Sequence, residues 1–351
     1  EAMPIVFRDT VHYSPYLYDI FESYHTLEGR RQNIALGETE ILPGVKVFAK
    51  GAGHLPGALS FIFDLGNGEK GLITGDQGMH YQYIVDGAKY CSEDVPKEYM
   101  PTHVLGMDLT HGMGRRMDFV NECDRLVEAS VKILDNKGIA LVGAFGFGRG
   151  QNVAIAYARK GIEVYVDGVI RKVFELYAKH IPLSSLMDKI KFIRSPEERD
   201  ELLESGEPAV IITTGGMADA GPILGYLPRV LPRPKGKAAV FFTSWTAPDS
   251  NATKIVNKSK RKNTKILLEN ENGRRVEVPI NCTVDHFHPS AHWDPYEMEG
   301  YFEDIVKVQG KLFKTMCPTH GTWEAKCDAS LRLGDLADNT IFGEPGVSFE
   351  I

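Results

Sequence analysis

GAGHLPGALSFIF, residues 51–63, sets His54 in a turn of small residues between two apolar runs, VKVFAK (45–50) and ALSFIFDL (58–65). Apolar runs of this length bounded by Gly, Asn and Pro read as strands. The arrangement recurs along the chain, with Asp76 in GLITGDQG (71–78), Asp108 in HVLGMDLTHG (103–112), His292 in VDHFHPSAHWD (284–294) and His320 in KTMCPTHGTWE (314–324). Neutral imidazole and carboxylate oxygen are donors that zinc accepts at about 2.0–2.2 Å. Loops after buried strands are where rigid scaffolds present such groups, so five of them in this pattern point to one site. Each alone has a plainer reading. His54 and His320 read equally as turn histidines bonded to a backbone carbonyl, and Asp76 as a carboxylate capping backbone N–H groups. Asp108, closing a buried strand, is suited to holding an imidazole in one tautomer.

Between the third and fourth motifs the texture changes. DFVNECDRLVEASVKILDN (118–136) puts Phe119, Cys123, Leu126, Val127, Val131 and Leu134 on one helical face. Four strand–turn–helix units follow, beginning GIALVG, IEVYVD, PAVIITT and KAAVFFT. This alternation predicts a mostly parallel sheet with helices on both faces. It also sets the strand-end loops 143–151, 213–221 and 243–250 along one ligand-binding edge. VEVPINCTV (276–284) reads as a further strand, and a helix carrying Met298, Phe302, Ile305 and Val306 on one face precedes the strand LFKTM. Site motifs on both sides of the α/β block indicate an inserted domain. GAFGFGRGQ lacks the Lys-Ser/Thr of a phosphate loop and the spacing of a dinucleotide fingerprint, which argues against nucleotide binding.

At 351 residues, two domains are expected. An apolar fraction of 43% supports real cores, and no apolar run is long enough to span a membrane. The expected compartment is the cytoplasm, with no membrane partner. Five cysteines form neither a CxxC pair nor a dense framework and read as free thiols. Cys317 and His320 have C-x2-H spacing, but no second pair completes a structural zinc site. A net charge of −7 argues against blanket attachment to nucleic acid. One stretch runs the other way: KIVNKSKRKNTK (254–265) carries Lys254, Lys258, Lys260, Arg261, Lys262 and Lys265 and no acid. It reads either as a solvated helix or hairpin end or as a phosphate-contacting edge. In HFHPSAH, His286, His288 and His292 form a cluster of their own, or His292 is the reactive member and its neighbours line the entrance.

In order, these segments resemble the β-CASP branch of the metallo-β-lactamase superfamily over nearly all the chain. GAGHLPGALSFIF is similar to the family's AGH-x-x-G-[SA] motif, LITGDQG to its TGD motif, MDLTHG to motif A, PSAHWD to motif B and PTHGTWE to motif C. The intervening block carries a GRxQ turn (Gly148, Arg149, Gln151) and a GGM loop (Gly215, Gly216, Met217) resembling the family's. SAHWD sits closest to the endonuclease subunit of the cleavage and polyadenylation specificity factor and its archaeal relatives. The resemblance implies an α/β fold: a metallo-β-lactamase αββα sandwich (1–111 with 284–351) bearing an inserted parallel-sheet cap (112–283).

It further implies a zinc-dependent ribonuclease that hydrolyses single-stranded RNA in a cleft between the two domains. His54 would ligate one zinc, Asp76 would bridge two, and His320 would ligate the second. His292 would contact the phosphate or protonate the leaving oxygen with Asp108 behind it, and Arg149 and Gly216 would contact substrate. In this family a histidine at motif C accompanies RNA and an aliphatic residue DNA, so His320 favours RNA. The family's HxHxDH, which supplies four zinc ligands, is absent from the chain. Two zinc ions are therefore expected in a complete protein and none or one here, since neither cation keeps more than two expected ligands. Either about 70–100 N-terminal residues are missing, an estimate resting on the resemblance and on usual unit sizes, or another chain supplies them; Glu1 as first residue favours the former. A non-catalytic scaffold subunit of an RNA-processing complex and a DNA-directed nuclease are the alternatives. A homodimer or an RNA-processing complex is the expected assembly.

Overall fold

A computed structural model of the chain describes residues 5–7, 10–13, 31–270 and 273–343. Much of the opening stretch 1–21 lies outside the described residues. The chain divides into two compact units, 1–116 with 290–351 and 117–289. The first unit contributes β1 (Ile5–Phe7), β2 (Thr10–Tyr13), β3 (Arg31–Asn33), β4 (Gly37–Leu42), β5 (Val45–Gly51), β6 (Leu59–Gly66), β7 (Glu69–Ile73) and β8 (His103–Asp108). The second holds β9 (Ile139–Ala144), β10 (Val164–Asp167), β11 (Ile190–Phe192), β12 (Ala209–Thr214), β13 (Ala238–Phe242), β14 (Lys265–Glu269), β15 (Arg275–Pro279) and β16 (Thr283–His286). The chain then returns to the first unit with β17 (Phe313–His320) and β18 (Ala337–Thr340).

In the first unit, β1, β2 and β3 form a small sheet, and the remaining strands form a seven-stranded sheet ordered β18-β17-β8-β7-β6-β5-β4. Strands β4 to β7 are successive antiparallel hairpins, of which Asn67 and Gly68, both with positive φ, turn β6 into β7. In the sequence LGNG (65–68) the Asn-Gly pair is the signal for such a hairpin turn. Strands β7, β8 and β17 pair in parallel. Consequently β5, β7, β8 and β17 all run in one direction and end at one edge of the sheet.

One face of this sheet is covered by the helices Pro295–Gln309 and Trp323–Leu333, whose Met298, Phe302, Ile305 and Ala329 pack with Phe48, Ile62, Leu72 and Val104. On the opposite face Ile41, Val47 and Ala49 are buried, while Leu59, Phe61 and Phe63 are half-buried.

The second unit is built on a six-stranded, wholly parallel sheet ordered β11-β10-β12-β9-β13-β16. Every residue of central β9 is buried, as expected of a sheet covered on both faces. The helix Phe119–Asp135 starts where Asp118 accepts a hydrogen bond from the Asn121 N–H at 2.8 Å, and it buries Cys123, Leu126 and Val127. Ile139, Leu141, Val240 and Phe242 pack under the helices Ile223–Val230 and Asn251–Ser259 and under the β14–β15 hairpin.

The units meet in sequence at 116/117 and 289/290, not at 111/112 and 283/284. The reason at the second junction is β16, which pairs with β13 from Thr283 to His286 and so carries the chain through the cap's sheet before it returns. VEVPINCTV is correspondingly two strands: Pro279 ends β15, and the chain turns into β16. Among the described residues no helix is long and apolar enough to cross a membrane.

Candidate metal centre

Four of the motif residues lie at the edge where the parallel strands end. His54 follows β5, Asp76 follows β7, and Asp108 and His320 close β8 and β17. Asp108 and His320 are register partners, reached after shifts in the β8–β17 ladder on either side of Pro318. Proline donates no ladder hydrogen bond, and an irregularity of this kind re-aims a strand end. His292 arrives from the loop ahead of the helix Pro295–Gln309. That helix is fixed at its start by a capping box: the Asp294 carboxylate accepts from the Tyr296 and Glu297 N–H groups, and Glu297 accepts from the Asp294 N–H at 3.0 Å.

Backbone contacts tie the loops together before any side chain is counted. The Gly78 N–H donates to the Ala52 carbonyl at 2.9 Å, and the Trp293 N–H donates to the Gln77 carbonyl at 2.6 Å. A Cβ on Gly78 would stand 2.4 Å from the Ala291 oxygen and 2.9 Å from the Gly53 oxygen, so only glycine lets these three loops close. The Leu109 N–H donates to the His320 carbonyl at 2.8 Å, joining motif A to motif C. Below them, buried Trp293 donates its indole N–H to the Asp108 carbonyl at 2.7 Å.

Above this frame the side chains converge. His292 Nδ1 lies 2.7 Å from Asp108 Oδ2; since an ionised carboxylate only accepts, Nδ1 carries the proton and Nε2 is the acceptor nitrogen of the neutral ring. His320 Nδ1 lies 3.1 Å from Asp76 Oδ1 and 3.6 Å from Asp108 Oδ1. His54 Nε2 lies 3.8 Å from Asp76 Oδ2, and the His54 and His292 rings are 4.5 Å apart.

Burial would raise the Asp108 pKa. The charge of His292 and hydrogen bonds with His292, His320 and Thr110 overcome that and hold the carboxyl well below the usual range. Asp76, also pushed up by burial, is likewise held low by His320 and His54. His320 is pushed up to about 10 by its hydrogen bonds to Asp108 and Asp76 against the opposing effect of burial.

These donors fall into two groups, His54 with Asp76 and His292, and Asp76 with Asp108 and His320, the donor atoms of each lying within 4.8 Å of one another. Asp76 belongs to both. Each group holds three residues, more than the two anticipated, because His292 and Asp108 also face the site. Asp76 Oδ2 is buried and accepts no hydrogen bond among the described residues, which leaves it able to bind a cation. Nitrogen and oxygen donors in threes, sharing a carboxylate, fit a divalent ion such as zinc with a position open for another ligand.

The supports of this site lie outside the five motif residues. Ser60 donates to the Thr74 carbonyl at 2.6 Å, Thr74 Oγ1 accepts from the Asp108 N–H, and Gln77 donates from its N–H to Asp108 Oδ2 at 3.0 Å and from Nε2 to Ser60. The available signal was their place, polar residues beside Asp76 in the turn TGDQ; that both are fully buried is known only from the fold. His286 and His288 instead belong to the second unit, their rings 4.0 Å apart and His286 Nε2 2.6 Å from the Ser244 carbonyl. They do not join His292 in a metal group. Arg149 and Gly216 also lie in the second unit, at the strand-end edge anticipated for its loops. Arg149 donates to the Thr243 carbonyl, and a Cβ on Gly216 would stand 2.9 Å from Ser244 Oγ. The five cysteines are free.

The Beta-Casp domain model matches residues 152–255. The chain is 27% identical over 311 residues to the transcription termination factor FttA of Thermococcus kodakarensis, covering 79% of this chain and 46% of that protein. It is 28% identical over 274 residues to the probable RNase MJ4 of Methanocaldococcus jannaschii, covering 74% and 59%. An RNase J-like protein of the same organism is 24% identical over 327 residues, covering 88% and 72%. The chain spans about half the length of the first of these relatives, 46% and 59%. With a parallel-sheet domain inserted in a mixed α/β unit and its motif residues gathered at one strand edge, the chain has the architecture of a metallo-β-lactamase fold with a β-CASP insertion, and residues 152–255 are its Beta-Casp domain.

Proposed function

We propose that this chain carries the metal centre and cap of a zinc-dependent ribonuclease that hydrolyses phosphodiester bonds in single-stranded RNA. The observation that carries the proposal is the position of Asp76, common to both donor groups, with His54 and His292 on one side and Asp108 and His320 on the other. Divalent cations bound there would lower the pKa of a water and neutralise charge on phosphate oxygens. His54, Asp76 and His320 would hold them. Asp108, fixed by the Gln77 and Thr110 N–H groups, keeps the His292 proton on Nδ1. In its imidazolium form His292 would also carry a proton on Nε2, which donates to the phosphate or passes to the leaving oxygen, with the ring then neutral and Nδ1–H still held by Asp108. Arg149 and Gly216 are assigned to the RNA backbone on the cap. Relatives named as RNases and as a transcription termination factor support RNA as the polymer.

The test pairs zinc uptake after equilibrium dialysis with cleavage of an end-labelled single-stranded RNA and of DNA of the same sequence. Native chain is expected to take up zinc and Asp76→Ala to lose it. His292→Ala should stop cleavage while the Asp76, Asp108 and His320 group, which does not include it, still takes up zinc, and RNA should be cut in preference to DNA. Zinc uptake indifferent to Asp76→Ala, or cleavage indifferent to His292→Ala, overturns the assignment. Native chain that holds zinc and cuts neither polymer favours the non-catalytic scaffold.

A further inference from the structure

The basic stretch noted in the sequence ends the helix Asn251–Ser259 and turns into β14. No acid occurs between residues 250 and 268. Lys254, Lys258, Lys260, Arg261 and Lys262 are all exposed, and among the described residues none of their side chains forms an ion pair or a hydrogen bond. The adjoining hairpin is different. Its Lys265 is paired with Glu277 at 2.7 Å, and Arg275 stands directly across from Glu269. Charge on the hairpin is compensated by neighbours; charge on the helix end and turn is not.

A helix C-terminus favours one or two cations in its last turn, which accounts for Lys258 and Lys260. It does not account for Arg261, Lys262 and Lys254. Lys254 and Lys258 stand four residues apart on one helix face, where like charges repel. The turn is also ordered by its own bonds. The Arg261 N–H donates to the Lys258 carbonyl at 3.0 Å, Thr264 Oγ1 donates to the same carbonyl at 2.9 Å, and the Ile280 N–H donates to the Thr264 carbonyl at 2.9 Å. Asn263 takes a positive φ of 53° to complete the turn. Five cations are therefore held at a fixed spacing, on a chain of net charge −7. Uncompensated repulsion built on an ordered backbone is relieved by a polyanion.

We infer that the helix end and turn 254–262 form a second nucleic-acid contact, a sequence-independent dock for the phosphate backbone of the RNA strand. The assignment of the strand as RNA rests on the proposed ribonuclease activity; the surface itself rests on the cap alone. Each lysine or arginine meets one phosphate and displaces its counterions, so the dock contributes affinity and salt dependence and reads no base.

The experiment measures binding of a fluorescent oligouridylate of about 20 nucleotides by anisotropy across a salt series. It compares native chain with Lys258→Gln/Lys260→Gln/Arg261→Gln/Lys262→Gln. The quadruple variant is expected to lose at least about 10-fold in affinity near 100 mM salt and to flatten the log–log salt slope by roughly 0.7 for each contact removed. Lys265→Gln, on the compensated hairpin, should change neither quantity. Lys258→Arg/Lys260→Arg/Lys262→Arg should bind as native, and the pairs Lys258→Gln/Lys260→Gln and Arg261→Gln/Lys262→Gln should each show part of the loss. An unchanged salt slope in the folded quadruple variant overturns the dock, even where His292-dependent cleavage is intact. Loss of binding to phosphatidylserine vesicles with RNA binding preserved also overturns it. A patch-dependent slope in a chain that cuts no RNA upholds the dock and refutes the ribonuclease reading instead.

Discussion

Trp293 illustrates how much of the site depends on a residue that touches no substrate. Its indole donates to the Asp108 carbonyl at 2.7 Å and its backbone N–H to Gln77, so it ties the His292 loop to both strand ends carrying carboxylates. Trp293→Phe keeps an aromatic ring but leaves a gap where the rest of the indole packed and that carbonyl without its buried donor, the lost donor alone costing about 1–3 kcal/mol. Denaturant unfolding should show the loss, and zinc uptake should weaken with it. A variant as stable as native would mean the bond carries no net stability. His286 predicts a pH dependence in the other unit. Burial lowers its pKa, opposed by the Ser244 carbonyl and Asp285, with Arg149 lowering it further and Glu122 raising it; the His288 ring stands against it as well. Because the folded value is depressed, the contribution to stability is whole above the unfolded value of about 6.5 and is lost as pH falls from there through the folded value. Between pH 7.5 and 5.5 this group is expected to lower the thermal midpoint, against the opposite drift of His320, whose raised value adds stability as pH falls. His286→Gln, which does not titrate and keeps an amide donor for Ser244, should reduce that fall. Equal slopes for the two chains would remove His286 from the account.

At the scale of elements, the parallel run of β5, β7, β8 and β17 does the positioning, and the loops between them close only where backbone meets backbone. Gly78→Ala tests that closure, because the new Cβ would meet two carbonyl oxygens at 2.4 and 2.9 Å, neither on a flexible side chain. Overpacking of this kind costs about 1–3 kcal/mol. Here it should also separate the His54, Asp76 and His292 loops, so zinc uptake is expected to fall together with the unfolding midpoint. Native zinc uptake by Gly78→Ala would show that the loops can part without loss of the centre. Helix starts were readable along the chain because capping is local: Asp118 and the Asp294–Glu297 box each satisfy N–H groups within three residues of themselves. The division of 276–284 into two strands was not, since its apolar pattern is continuous and only pairing partners separate β15 from β16.

For the whole molecule, the two units are expected to differ in independence. Residues 117–289 contain an uninterrupted six-stranded sheet with its own core. Expressed alone, that segment should unfold cooperatively and retain near-ultraviolet circular dichroism, as a domain with its own core does; a non-cooperative, dichroism-silent segment would contradict the division at 116/117 and 289/290. The β-α alternation, the hairpin at Asn67–Gly68 and the grouping of His54, Asp76, Asp108, His292 and His320 as one set were legible in the sequence. Periodicity, turn chemistry and residue type are properties of neighbours along the chain, and they survive without a fold. Which carboxylate is shared did not follow from spacing, because Asp76 and Asp108 both close strand-like runs and the sheet order sets both between His54 and His320; only the folded contacts commit Asp108 Oδ2 to His292 and the Gln77 N–H and leave Asp76 Oδ2 to a cation. The separation of His286 and His288 from His292, six and four residues away, was equally invisible: β16 commits His286 to the cap's sheet, the His288 N–H donates to Glu122 of the same unit, and the chain leaves that unit before Ser290. The sequence by itself determined the elements and the donor types, whereas only the tertiary structure decided which donors face each other, because strand order and direction are set by long-range pairing and burial rather than by adjacent residues.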